Sequence, residues 1–244
     1  MAGYALAGFA LAGFALADFA LADFALADYI KGLKSFIRKV LHMLLRSNPA
    51  SPFGRKVKIA ADFLGLLPQI SIIAADTLDA NDPLRNDNPL GKIPALVLDD
   101  GSSLYDSRVI VEYLDYMAGG HKIIPQEPNQ RFSALRLQAL SDGISEAALL
   151  IIYESRYRDA DKRVEAWVEH QQGKIDRGLA ALEANVPVLG FGFPDIGQIA
   201  TACTLGYLDL RFQGTWRKSH PKLAEWLDHF AAKYPIFEKT KLSV

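Results

Sequence analysis

The chain has 244 residues, half of them apolar, and its 27 basic and 28 acidic side chains leave a formal net charge of −1. This length allows one or two domains with a sizeable core, and the balanced charge argues against nucleic acid as the main partner. Cys203 is the only cysteine and the five histidines lack metal-ligand spacing, so we expect no disulfide, no metal site and a reducing, cytoplasmic location.

The N-terminal segment has two parts. Residues 3–28 repeat a five-residue unit of Gly or Asp, an aromatic residue, Ala, Leu and Ala. Five residues match neither the helical nor the strand period, so the aromatic and leucine side chains would spread around a helix. Residues 29–41 instead combine apolar positions at helical spacing with four basic residues on or near the opposite face. They predict a basic amphipathic helix suited to a membrane surface or an apolar partner groove, or to an assembly contact.

His42 and Met43 mark the end of this segment. His-Met is what a CATATG cloning site encodes, so we interpret residues 1–42 as an engineered fusion and residues 43–244 as the native part. A natural low-complexity extension is the alternative. The segment is no secretory signal, because its basic part lies at the wrong end and no small-residue cleavage site follows the apolar run. Membrane attachment, assembly and packaging into a shell all fit such a segment.

The native part begins with strand and helix signals. Residues 43–46 are a short apolar run that predicts a buried strand. Ser51 is a natural N-cap and Pro52 suits the first helical position, and the helix that they begin stops at Gly65. Residues 69–75 predict a second strand.

Residues 88–107 are the most informative stretch of the chain. An Asp-Gly turn joins two predicted strands, residues 95–98 and 103–105, and a helix follows from residue 106 to 117. The Ile93–Pro94 bond is notable because an X–Pro bond is the only peptide bond that is cis at low cost. A cis bond there would turn the backbone groups of Ile93 outward, towards a ligand lying alongside.

The rest of the chain has helical periodicity only. Residues 119–128 are rich in Gly and Pro and predict a linker, and residues 129–244 predict an all-α domain. We expect helices over residues 131–157, 164–184, 195–212 and 221–234, followed by an irregular tail.

Three motifs resemble the glutathione S-transferase family, most closely its bacterial serine-type cytosolic members. They are Ser-Pro-Phe-Gly-Arg-Lys-Val from Ser51, Asn-Pro-Leu-Gly-Lys-Ile-Pro-Ala-Leu from Asn88, and Asp106-Ser107. The resemblance covers residues 43–244. It implies a thioredoxin-like α/β domain over residues 43–118, followed by the linker and the all-α domain, usually in a homodimer.

The resemblance also implies a glutathione site. Ser51 would stabilise the thiolate of glutathione, helped by the helix N-terminus, which lowers thiol pKa values. Ile93 and Pro94 would hold the cysteinyl backbone, and Asp106 and Ser107 the γ-glutamyl end.

Further site residues follow from the same comparison. Phe53 and Lys92 complete the expected glutathione site, with Lys92 reaching the glycyl carboxylate. Ser47 is the rival hydroxyl for contact with the thiol, and the absence of cysteine at either place argues against thiol exchange. Asp195 matches the acidic member of a Ser/Thr-x-x-Asp capping box whose first position is Gly192 here, so we expect a structural role for it.

The predicted reaction is detoxifying attack of the glutathione thiolate on a hydrophobic electrophile held against the all-α domain. Candidates for the electrophile pocket are Tyr153, Arg156, Tyr157, Tyr207 and Trp216. A glutathione-dependent isomerase or peroxidase on the same site is one alternative, and a non-catalytic glutathione-fold binding module is another. For the whole chain, a membrane-active or assembling fusion that carries the transferase as cargo is a third.

Overall fold

Four strands form one mixed sheet in the first part of the molecule. The computed structural model describes residues 42–242, and our interpretations of residues 1–41 lie outside them. Strands β1 and β2 pair in parallel, β1 and β3 pair antiparallel, and β3 and β4 pair antiparallel, in the spatial order β2-β1-β3-β4. The strands are β1 (Met43–Ser47), β2 (Ile70–Ala74), β3 (Ala95–Val97) and β4 (Ser103–Leu104).

Helices connect and cover this sheet. Helix α1 (Pro52–Phe63) is the crossover that the parallel pair β1 and β2 requires. A single turn, α2 (Leu84–Asp87), precedes β3, and α3 (Ser107–Met117) follows β4. The resulting order β-α-β-α-β-β-α is that of the thioredoxin-like domain that the family resemblance implied.

The two faces of the sheet have separate apolar contacts. Leu45 of β1 and Leu96 of β3 lie opposite each other and belong to the main core of the molecule. Ala95, one position away and therefore on the other face, packs in a small cluster with Leu84 of α2. The register thus directs alternate residues of β3 into different cores.

Within the described chain, the part from residue 128 to 242 is helical and contains no strand. Helix α6 lies at its centre, because most of its side chains are buried and it packs against both α4 and α1. The helices are α4 (Pro128–Tyr157), α5 (Glu165–Ala184), α6 (Ile196–Phe212), α7 (Pro221–Lys233) and α8 (Ile236–Lys239).

The C-terminal tail differs from the prediction. The sequence predicted an irregular tail, but α8 forms one helical turn there. Pro235 already has helical backbone angles, and Ile236 and Phe237 are buried against the rest of the molecule. Tertiary burial therefore stabilises a helix too short for a periodic signal. Across residues 42–242, no helix combines the length and apolarity needed to cross a bilayer.

Candidate functional site

Ser51 is the N-cap of α1. Its backbone is extended, and its Oγ accepts a hydrogen bond from the amide of Gly54 at 3.1 Å. The backbone carbonyl of Ser51 accepts the first helical bond, from Arg55 at 2.9 Å. A hydroxyl that accepts through a lone pair keeps its own proton free, so Ser51 can still donate to a ligand at the helix N-terminus.

Ser47 lies in a very different environment. It is 1% exposed, and its Oγ has no hydrogen-bond partner within residues 42–242. A Cβ on Gly54 would lie 2.2 Å from this oxygen, so the first turn of α1 seals the Ser47 hydroxyl beneath it. Strand alternation explains the burial, because Ser47 points to the same face as Leu45. The Ser47 hydroxyl is therefore covered by α1, whereas Ser51 is only half-buried at the start of that helix.

A cleft of about 380 Å³ opens beside Ser51. It lies between the loop that precedes α1 and the helices α6, α7 and α8. Tyr207 is the one predicted pocket residue among its lining groups. Trp216 instead donates its indole N–H to Asp209 at 2.9 Å and lines a separate cleft of about 180 Å³. Apolar and charged groups both line the larger cleft, notably Pro49, Cys203, Leu210, Arg217, Ala231 and Phe237.

The loop before β3 is held from inside by Asn88. This buried side chain donates to the carbonyl of Lys92 at 2.7 Å and accepts from the amide of Leu90 at 3.0 Å. Gly91 has a φ of +60°, which favours glycine. The Ile93–Pro94 bond that follows is cis, as its sequence suggested. Asn88 was only part of a motif at the sequence level, although Asn before such a turn is a recognised signal.

Asp106 is the N-cap of α3. Its Oδ1 accepts from the amide of Arg108 at 2.9 Å, and its carboxylate remains exposed. The helix begins at Ser107, one residue later than predicted, and Ser107 is 2% exposed. The N-terminus of α3 thus presents free amide groups together with an acidic side chain, an arrangement that can hold both ends of an amino acid.

The remaining predicted glutathione residues lie in two places. Phe53 is half-buried in the first turn of α1, with its ring centre 5.9 Å from Nζ of Lys56. Lys92 is exposed, and only its backbone carbonyl is fixed, by Asn88. Within residues 42–242, no hydrogen bond or ion pair fixes the Lys92 side chain, so it can reach towards a ligand carboxylate.

A buried ion cluster that the sequence did not reveal joins three helices. Nζ of Lys56 lies 2.7 Å and 2.8 Å from the two carboxylate oxygens of Asp142 on α4. Nε of Arg108 donates to the same carboxylate at 2.9 Å. Lys56 is 1% exposed, although periodicity alone would assign a lysine to the solvated face of α1. The cluster links the helices that begin beside Ser51 and Asp106 to the helical part.

Asp195 caps α6 in a register that we did not expect. Its Oδ1 accepts from the amide of Gln198 at 2.9 Å, and the Gln198 side chain accepts from the amide of Asp195 at 3.0 Å. The capping box is therefore formed by Asp195 and Gln198 and does not begin at Gly192. Burial raises the pKa of Asp195, while the amide hydrogen bonds partly oppose this shift.

Cys203 lines the cleft but has no reactive character. Burial raises the pKa of its thiol to about 11, so the thiol stays protonated at neutral pH. Within residues 42–242, no three His, Cys, Asp or Glu side chains converge as metal ligands would.

Two family models match the chain. The model described as "Glutathione S-transferase, N-terminal domain" matches residues 50–116. The model described as "Glutathione S-transferase, C-terminal domain" matches residues 165–229.

Individual proteins show the same similarity. The uncharacterized GST-like protein YibF of Escherichia coli K12 is 30% identical over 194 residues, covering 78% of this chain and 95% of YibF. A crystal structure of a glutathione transferase family member from Pseudomonas fluorescens Pf-5, with bound glutathione, is 42% identical, has a TM-score of 0.76 and covers 83% of this chain and 100% of that one. Maleylacetoacetate isomerase of Pseudomonas aeruginosa is 28% identical over 158 residues, covering 62% of this chain and 72% of the isomerase. Together with the four-stranded sheet, these matches confirm the predicted fold class.

Proposed function

The chain belongs to the glutathione S-transferase family, and we propose that it joins the thiolate of glutathione to a hydrophobic electrophile with Ser51 as the catalytic residue. The observation that carries this proposal is that Ser51 caps α1 at the mouth of the cleft with a hydroxyl oxygen that accepts from the Gly54 amide, which leaves the hydroxyl able to donate to a ligand. Ser47, the rival hydroxyl, is sealed under Gly54.

The proposed chemistry has two steps. The glutathione thiol loses its proton to solvent, and the Ser51 hydroxyl donates a hydrogen bond to the sulfur while the N-terminus of α1 favours its negative charge. The thiolate then forms a bond from sulfur to the electrophilic carbon, and a leaving group departs with its electron pair. The hydrogen bond from Ser51 and the N-terminus of α1 both stabilise the negative charge on sulfur. They therefore keep glutathione in its thiolate form at neutral pH.

We assign glutathione binding to the sheet-containing part, residues 43–118. Asp106 would pair with the γ-glutamyl amine, and the amide groups and hydroxyl at Ser107 would bind its carboxylate. The backbone of Ile93 and Pro94 would pair with the cysteinyl residue, Lys92 would reach the glycyl carboxylate, and Phe53 would line the site. The electrophile would lie against residues 129–244, across the linker at residues 119–128.

Retention on glutathione-agarose followed by turnover of 1-chloro-2,4-dinitrobenzene tests the proposal. Wild type should be retained and active, and Ser51→Ala should lower kcat/KM by about 10- to 100-fold, the value of one hydrogen bond to a charged group. The apparent pKa of the pH–rate profile should rise in Ser51→Ala, because the thiolate has lost a donor. Ser47→Ala is the matched control and should leave both quantities unchanged. Failure of wild type to bind glutathione would refute the whole proposal.

Glutathione-dependent isomerisation is a second candidate, favoured by the similarity to maleylacetoacetate isomerase. The same thiolate would add to a conjugated double bond, allow rotation and leave again, so that no glutathione is consumed. Loss of a cis substrate without loss of thiol identifies this reaction. A peroxidase would instead produce glutathione disulfide, and a binding module would retain glutathione without turnover in any assay.

We also propose that residues 43–244 form a homodimer in the cytoplasm. Exposed Val109 of α3 and Phe132 of α4 support this, since the ion pair between Glu112 and Arg131 shows that the two helices lie side by side. Phe132→Glu should convert a dimer to a monomer in sedimentation, and a monomeric wild type would contradict it. Flotation with lipid vesicles, with and without residues 1–42, tests whether this segment adds membrane or assembly contact through residues 29–41.

A further inference from the structure

Arg211 lies next to Tyr207, which lines the cleft beside Ser51, and Arg156 lies next to Tyr153 on α4. Arg211 follows Tyr207 by one turn of α6, with its Cζ 5.8 Å from the Tyr207 ring centre. Arg156 of α4 has its Cζ 5.6 Å from the ring centre of Tyr153. Burial raises the pKa of Tyr207, and the charges of Arg211 and Arg156 both oppose that shift. Positive charge therefore lies beside Tyr207 on its own helix, and a second arginine lies beside Tyr153 on α4.

Neither arginine is neutralised within the described chain. No carboxylate of residues 42–242 lies within ion-pair distance of Arg156 or Arg211. The Nε of Arg211 is also buried and has no hydrogen-bond partner in that part of the molecule. Arg211 as a whole is only half-buried, and a carboxylate beside its guanidinium group would offset the cost of the unpaired donor.

The carboxylates of the cleft already have basic partners. Asp209 and Asp228 both bind Arg217, at 2.7 Å and 3.0 Å. Glu238 lies 3.6 Å from Nζ of Lys241. Within residues 42–242, the acidic groups that line the cleft are therefore matched by their own cations, and none of them pairs with Arg211 or Arg156.

We propose that the electrophile carries a carboxylate, which Arg211 binds with Arg156 beside it while the glutathione thiolate attacks next to Ser51. This inference rests on the proposed function, because it assigns a substrate class to the same cleft. A guanidinium group presents a planar fork of N–H donors that matches a carboxylate. The rings of Tyr153 and Tyr207 offer an apolar surface for the body of the substrate.

Two glutathione conjugates of almost equal size provide the test. S-(2-carboxyethyl)glutathione and S-propylglutathione differ in having a carboxylate or a methyl group at the end of the same chain. Calorimetry on the full chain should show that wild type binds the carboxylated conjugate about tenfold or more tightly than the propyl conjugate. Arg211→Gln should remove most of this preference, Arg211→Lys part of it, and Arg156→Gln a smaller part.

Binding of S-propylglutathione is the internal control, because it reports a folded glutathione site in every variant. Arg177→Gln is the matched control variant, since Arg177 is an exposed arginine of α5, a different helix from those of Arg156 and Arg211, and it should keep the full preference. Equal affinity of wild type for both conjugates would overturn this inference and leave the proposed function intact. An equal loss of both conjugates in Arg211→Gln, with Arg211→Lys and Arg156→Gln keeping the full preference, would also overturn it. Failure of wild type to bind either conjugate would overturn the proposed function and this inference with it.

Discussion

The sheet-containing part and the helical part of the molecule use different means to build their sites. In the sheet-containing part, the candidate site is built from two helix caps, Ser51 and Asp106, and from a turn held by Asn88. In the helical part, they are side chains on long helices, such as Tyr207 and Arg211. A cap or turn accepts few residue types at fixed offsets, whereas a helix position accepts almost any side chain that fits. The proposed glutathione site is therefore built from motifs that are local in sequence, and the proposed electrophile site depends on tertiary structure.

We expect the largest effect from a substitution of Asp142, because this residue links the helical part to the sheet-containing part. Its loss should affect stability and glutathione binding together. Asp142→Ala would leave Lys56, which is 1% exposed, without its partner. Removing one member of a buried ion pair costs about 3–5 kcal/mol, so the free energy of unfolding in urea should fall by that amount. The glutathione KM should rise as well, because Arg108 next to Ser107 loses the same carboxylate.

A surface pair and a double variant complete this experiment. Asp159→Ala removes the partner of Lys162, but both side chains are mostly exposed, so the loss should stay below about 1 kcal/mol. Lys56→Met combined with Asp142→Leu should recover most of the stability, since no buried charge remains. If Asp142→Ala is as mild as Asp159→Ala, the ion cluster does not couple the two parts.

Asn88 sharpens the contrast within the sheet-containing part. Asn88→Ala removes the donor to the Lys92 carbonyl and the acceptor for the Leu90 amide. Unsatisfied buried groups cost about 1–3 kcal/mol each, so unfolding in urea should occur at lower concentration and glutathione should bind more weakly. Asn86→Ala, at an exposed position of α2 just before this loop, is the control and should change neither quantity. Unchanged glutathione affinity in Asn88→Ala would show that the loop is held by other contacts.

The sequence predicted the local features of this molecule and missed the distant ones. The caps at Ser51 and Asp106 were readable because a cap is defined by its neighbours in sequence. The pair of Lys56 and Asp142 was not, because 86 positions separate its members and no local pattern links them. Helix α8 was missed for a related reason, since burial of Ile236 and Phe237, not periodicity, stabilises it.

The N-cap of α6 at Asp195 is a feature of the helical part that residues close in sequence define, as they do for the caps at Ser51 and Asp106. Asp195→Ala should lower the free energy of unfolding by about 0.5–2 kcal/mol, because α6 loses its N-cap. Asp195→Asn should recover most of this loss, since asparagine caps a helix nearly as well. Equal losses in both variants would mean that charge, not capping, is what α6 requires.

The pH dependence of the same residue gives a second, smaller effect. Burial raises the pKa of Asp195 above its ordinary value of 3.8 in the folded state. The stability that the protonated carboxyl contributes is therefore fully present below that value and is lost as the pH rises through the raised pKa. The free energy of unfolding of wild type relative to Asp195→Asn should thus decrease from about pH 3.5 to pH 6. A relative increase over this range would mean that the capping bonds outweigh the burial.

Ser47 provides the smallest expected effect and the closest comparison with Ser51. Ser47→Ala removes a buried hydroxyl that has no partner within residues 42–242, so stability should stay equal or rise by less than about 1 kcal/mol. Ser51→Ala should instead cost about 1 kcal/mol, because the Gly54 amide loses its acceptor. Measured side by side in urea, the two variants separate a packed hydroxyl from a capping one. Destabilisation of Ser47→Ala by as much as Ser51→Ala would show that the hydroxyl beneath Gly54 has a partner in solution, and the reason for preferring Ser51 would then have to come from kinetics alone.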